Sequence, residues 1–130
     1  MNLRIVYMKI AIIGPPKSGK TTYSQKLEGV VKHTDDLIEL GWSGASQVAS
    51  EWFDDESIDV VEGVAVPRAI RKWLDRNKGN DTKPVGKVIK LEHTFIELID
   101  GQKRMAKGIE TVWEGIEKEL IRRGVVIEKR

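Results

Sequence analysis

Ile10-Ala11-Ile12-Ile13-Gly14-Pro15-Pro16-Lys17-Ser18-Gly19-Lys20-Thr21 is an apolar run followed at once by the pattern G-x-x-x-x-G-K-[ST], and the polar, helix-compatible stretch Thr22 to Glu28 comes next. The order strand, glycine-bounded loop, helix is the setting in which this pattern forms a phosphate-binding loop. A triphosphate must be wrapped by backbone N–H groups, and Gly14 and Gly19 let the chain turn tightly and approach a ligand closely. The following helix points unpaired N–H groups and partial positive charge at the anion. On this reading Gly14, Pro15, Pro16, Lys17, Ser18, Gly19, Lys20, Thr21 and Thr22 hold the nucleotide. Lys20 reaches the β and γ oxygens, and the Thr21 hydroxyl ligates Mg²⁺.

The 130 residues, 40% hydrophobic and 32% charged, imply one soluble globular domain over 1–130. With no cysteine, disulfides and thiolate metal sites are excluded, and two histidines are too few for a histidine-based zinc cluster. Magnesium is the metal to expect. No apolar run approaches the ~20 residues of a membrane span, and no secretory signal pattern opens the chain. The expectation is a cytoplasmic protein with no membrane partner. Met8 offers a second start, so Met1 to Tyr7 reads as a short extension or an added half-strand.

The net charge of +2 conceals a segregation. Residues 35–62 carry nine acidic side chains and no Lys or Arg, whereas 68–90 carry eight basic ones against Asp75 and Asp81. One stretch repels phosphate and the next attracts it.

Past the loop, a helix from Thr21 to about Glu28 ends on Gly29, and Val30 to His33 is a short strand running into Thr34-Asp35-Asp36. Ala45, Val48, Ala49, Trp52 and Phe53 define an apolar face at i, i+3, i+4, i+7, i+8, predicting a helix over 44–53 with Ser43 as its N-cap. Ile58 to Glu62 reads as a buried strand closing on Gly63, and Pro67 at a first helical position starts a helix through Arg76. Val85 to Leu91 is a further strand. His93 to Asp100 fits strand or helix by periodicity and stays unassigned. A long helix from about Lys103 to Arg123 ends on Gly124, and Val125 to Ile127 is a fifth strand. The alternation predicts an α/β fold, a five-stranded, mostly parallel, doubly wound sheet in a three-layer arrangement with helices on both faces. Its ligands belong beyond the C-terminal strand edges.

That topology brings the 14–21 loop, Thr34-Asp35-Asp36 and Glu62-Gly63 to one crevice. Carboxylates beside a triphosphate repel it unless a cation intervenes, so their roles there are to hold Mg²⁺ or to take a proton from an attacking hydroxyl. Asp36 is the candidate that positions or deprotonates the acceptor, with Asp35 beside it, and Glu62 supports the metal. His33 and His93 receive no role.

These residues resemble the small P-loop kinases that phosphorylate nucleosides, nucleotides or other metabolites, including adenylate, shikimate and gluconate kinases. The resemblance runs from Lys9 to Ala69. His33-Thr34-Asp35-Asp36 looks like the acidic motif that in the shikimate and gluconate branches binds Mg²⁺ and orients the acceptor hydroxyl. Val60 to Arg68 is similar to the adenylate kinase pattern of apolar strand, acid, glycine and proline-arginine, which implies that Arg68 grips substrate phosphate. Two extra residues separate Glu62-Gly63 from Pro67-Arg68 here, and the acid is Glu, closer to the uridine kinase style. The resemblance also implies an arginine-bearing lid beyond the fourth strand, for which Lys103, Arg104 and Lys107 are the candidates after a segment of roughly ten residues. Trp42, ahead of the expected 44–53 helix, is a candidate to stack on a nucleobase.

The implied activity is transfer of the ATP γ-phosphate, with Mg²⁺, to a small molecule such as a nucleoside or nucleotide. Two alternatives stay open: a nucleic-acid-acting protein (a polynucleotide 5′-kinase or small ATPase) that tracks phosphates with 68–90, and a nucleotide-binding regulator without turnover. The net charge and the acid-only 35–62 segment disfavour the nucleic-acid reading.

Overall fold

The computed structural model describes residues 9–94 and 97–130. The expected N-terminal extension, with Met8, lies outside them, as do Phe95 and Ile96 of the unassigned stretch. In chain order the elements are β1 (Ile10–Ile13), α1 (Lys20–Ser24), β2 (Val31–His33), a 3-10 helix (Thr34–Leu40), α2 (Gly41–Trp52), β3 (Val60–Glu62), α3 (Val66–Arg76), β4 (Lys87–Lys90), α4 (Asp100–Arg122) and β5 (Val126–Lys129). The five strands form one sheet in the order β2-β3-β1-β4-β5, and every pairing is parallel.

The strand order fixes where the helices go. The first crossover runs from β1 past β3 to β2, and every later one runs the opposite way. Right-handed crossovers therefore put α1 on one face and α2, α3 and α4 on the other. The packing agrees. Ala11, Ile13, Val61 and Val88 face a large core with Trp73 of α3 and Trp113 of α4, which also holds Ala49, Ile70, Ile116 and Leu120. Ile12, Val60 and Ile89 alternate to the other face, where with Leu91 they meet Tyr23 and Leu27 in a smaller cluster. The sheet is thus flanked on both sides, but unequally.

Several element ends differ from the sequence reading for local reasons. The first helix stops at Ser24 rather than near Glu28, because Lys26 and Leu27 donate to Tyr23 O and Ser24 O in tighter three-residue turns. Asp59 then accepts from the Val30 N–H at 2.6 Å and draws the chain onto the sheet. Ser43 lies inside α2 instead of capping it, since the chain passes from the 3-10 helix into α2 at Gly41. The last helix starts at Asp100, earlier than Lys103: the Gln102 side chain accepts from the Ile99 N–H at 3.1 Å and Asp100 places a carboxylate in the first turn. Among the described residues, no helix is long and apolar enough to cross a membrane.

The far end of α4 is tied down by a buried cation. Arg123 donates to Thr82 O at 2.9 Å, to Asn77 O at 3.0 Å and to Glu119 at 2.7 Å, and its guanidinium lies 5.8 Å from the Trp73 ring centroid. The bonds from Arg122 and then Arg123 hold the Glu119 carboxyl down to about 2. A carboxyl lowered in the fold binds fewer protons there than in the unfolded chain. Its stabilisation is full above the ordinary value of 4.5 and is lost as pH falls towards about 2. Denaturant titrations of the parent and Glu119→Gln should therefore separate at neutral pH and converge across that acid window. A gap that persists unchanged to the acid end would show that Glu119 acts through packing alone.

Candidate functional site

The 14–21 loop leaves β1 at the centre of the sheet and crosses beyond the strand ends. Its backbone enters the left-handed region at Gly19 (φ 85°) and at Lys17 (φ 64°), a conformation that costs a lysine free energy and marks a loop held in shape by its surroundings. Gly14 is fixed by a close approach, since a Cβ there would stand 2.8 Å from Leu91 O at the end of β4. Lys20 is folded back into the loop, donating to Pro15 O at 2.8 Å and Ser18 Oγ at 3.4 Å. Its burial pulls the ammonium below its ordinary range, and the charges of Glu62 and Asp35 oppose that shift.

Glu62 ends β3 and is 1% exposed. Its register partners are Ile12 on one side and His33 on the other, so its side chain rises on the α1 face directly below the loop. There the Thr21 hydroxyl donates to Glu62 Oε1 at 3.3 Å, and His33 Nδ1 stands 2.5 Å from the same oxygen. The expected meeting of Thr21 and Glu62 is therefore observed. His33, given no role from the sequence, is part of the same group. The one signal the sequence offered was its place as last residue of its expected strand; its alignment with Glu62 comes from the structure.

A cavity of about 680 Å³ opens beside the loop. Lys17, Lys20, Thr21 and Thr22 line one side, and Asp35, Ile38 and Trp42 line another, with Gln102 and Met105 of α4. Asp35 thus faces the site, whereas Asp36, exposed on the same 3-10 helix, is not in the cavity lining. A second hollow of about 320 Å³ shares Trp42, Val64 and Met105 with the first and adds Arg68 and Arg104. The Arg68 guanidinium lies 4.9 Å from the Trp42 ring centroid, so one face of that indole is occupied by a cation. Lys103 and Lys107 are exposed and line neither hollow.

Two hard oxygen donors, the Thr21 hydroxyl and the Glu62 carboxylate, suit Mg²⁺, which takes one or two protein oxygens and completes its shell with water and phosphate. Among the described residues no three His, Cys, Asp or Glu gather into an all-protein cage.

The basic segment is largely engaged internally. Arg76 donates to Ser50 Oγ and pairs with Asp54, Lys87 pairs with Glu128, and Lys90 pairs with Glu92 and Glu110. The charge segregation of the sequence is therefore partly cancelled in space. The chain matches no protein-family model, and no curated protein matches it significantly.

Gly63, next to Glu62, has φ 135°, and a Cβ there would collide with the Thr34 hydroxyl and approach Thr34 N to 3.2 Å. Thr34 is itself buried and accepts from the Ala65 N–H at 3.4 Å. Gly63→Ala should cost at least about 2 kcal/mol from backbone strain and this clash. Urea unfolding measures it, and a cost near zero would mean that the turn after β3 can relax.

Proposed function

We propose that the chain is an ATP- and Mg²⁺-dependent phosphotransferase acting on a small molecule, with a nucleoside or nucleotide as the acceptor. The observation that carries this reading is the contact of Thr21 Oγ1 with Glu62 Oε1 at 3.3 Å beneath the 14–21 loop. The lysine and hydroxyl that nucleotide chemistry needs stand at the start of α1, above the carboxylate that ends β3, and both line a cavity of substrate size.

In this reading the loop amides and Lys20 hold the triphosphate, and Lys20 offsets charge gathering on the β and γ oxygens. Bound Mg²⁺ would lie at Thr21 and Glu62 and neutralise phosphate charge. The acceptor hydroxyl attacks the γ-phosphorus, the bond to the ADP oxygen breaks, and the hydroxyl proton passes to a carboxylate. Asp35 takes that role rather than Asp36, because it lines the cavity and its charge is felt at Lys20. Arg68 and Arg104 in the adjoining hollow suit an anionic group on the acceptor. Ile38, Trp42 and Met105 supply an apolar wall for its body. Trp42 is thereby a support for Arg68 as well as a surface for the substrate.

Calorimetric titration with ATP and Mg²⁺, followed by transfer assays across nucleosides, nucleoside monophosphates and sugar acids, tests this directly. Lys20→Ala should weaken ATP binding by about tenfold or more, the loss of a charge-assisted contact. Asp35→Ala should bind ATP as the parent does and lose about 100-fold or more in transfer rate. Arg68→Ala should raise KM about tenfold for acceptors that carry a phosphate and leave it unchanged for those that do not. A parent protein that binds ATP but transfers to none of these acceptors would overturn the small-molecule phosphotransferase reading.

A further inference from the structure

Resting on that reading, we infer that His33 is a positioning residue for the metal-side carboxylate: its ring fixes the orientation in which Glu62 presents an oxygen to the Thr21 hydroxyl.

Glu62 is 1% exposed, and a carboxylate removed from water needs partners for its oxygens. On the α1 face the side-chain partners of Oε1 are Thr21 Oγ1 at 3.3 Å and His33 Nδ1 at 2.5 Å. A carboxylate oxygen only accepts, so the ring nitrogen donates. The shorter contact is the histidine's. The longer, from a threonine on a loop-bound helix, is the one a metal would interrupt by taking the hydroxyl oxygen as a ligand. His33 is held independently of the loop. It is level with Glu62 in the β2–β3 register, and its side chain is 31% exposed, so the ring bridges solvent and the buried acid. A ligand carboxylate oriented by a neighbouring donor is already in its binding geometry, and the loss of such a donor commonly weakens metal affinity tenfold to a hundredfold.

The chemistry separates this role from simple structural support. Asn places an N–H donor at the same δ position as the imidazole, whereas Leu keeps comparable bulk without a donor. Isothermal titration of the whole chain with ATP, once with MgCl₂ and once with EDTA, reads the Mg²⁺-dependent gain in affinity for the parent, His33→Leu and His33→Asn. The expected result is a gain of about tenfold or more in the parent and in His33→Asn, and its loss in His33→Leu. ATP affinity in EDTA should stay at the parental value in both variants, while the melting temperature falls only in His33→Leu, where the buried carboxylate loses a donor; a fall in EDTA affinity as well would mark a generally structural role and overturn the assignment. Equal gains in all three proteins overturn the assignment while leaving the nucleotide-binding reading intact. Loss in both variants, or a parent with no Mg²⁺-dependent gain, overturns it too. A parent that binds no ATP under either condition removes the reading together with this inference. Should His33→Leu fail to fold, His33→Ala at this partly exposed site replaces it in the same comparison.

Discussion

Parallel strands joined by right-handed crossovers leave a short chain few ways to close a sheet, and the order β2-β3-β1-β4-β5 follows from one choice, the direction of the first crossover. Because the chain steps over an empty lane to reach β2 and then returns to fill it with β3, β1 ends in the middle of the sheet. The loop that follows β1 consequently has the end of β3 on one side and the end of β4 on the other. Glu62 reaches Thr21 from the first, and Leu91 O presses on Gly14 from the second. The site is assembled by this neighbourhood: Glu62 and His33 stand at the last residues of their strands, and Lys20 and Thr21 open the helix above them.

The same direction change divides the core unequally. Three helices and most of the large apolar side chains lie on one face, including Trp73, Trp113 and Leu120, while α1 and the turns after it cover a cluster of four buried residues on the other. The rigid side anchors the strands. The lighter side carries the loop, Lys20 and Thr21, the parts that a ligand would have to displace.

Much of this was legible in the sequence, and the reasons are local. The 14–21 loop announces itself because its two glycines, its lysine and its threonine all fall within one short contiguous stretch and its strand is uniformly apolar. The amphipathic faces of α3 and α4 are equally clear. What stayed hidden depends on register and on packing between distant segments. The pairing of His33 with Glu62 requires knowing that β2 lies beside β3 and in which alignment. The choice of Asp35 over Asp36 as the inward acid turns on a 3-10 helix, whose three-residue period a turn-like sequence does not display. The opposite charges of 35–62 and 68–90 looked like two surfaces, but Arg76 of α3 reaches Asp54 just past α2, and Lys87 and Lys90 find their acids in later parts of the chain. A one-dimensional charge pattern says nothing about which stretches will become neighbours.

The stacking of Arg68 on Trp42 couples two hollows through a single contact. An anion settling near Arg104 competes with the indole for the same guanidinium, so filling the smaller hollow uncovers a ring that borders the larger one. Trp73 and Trp113 are buried and Trp52 partly so, while Trp42 is 44% exposed. If the smaller hollow takes an anion, the indole at the junction of the two hollows would act as an optical reporter, its emission changing on arrival of that ligand without any label.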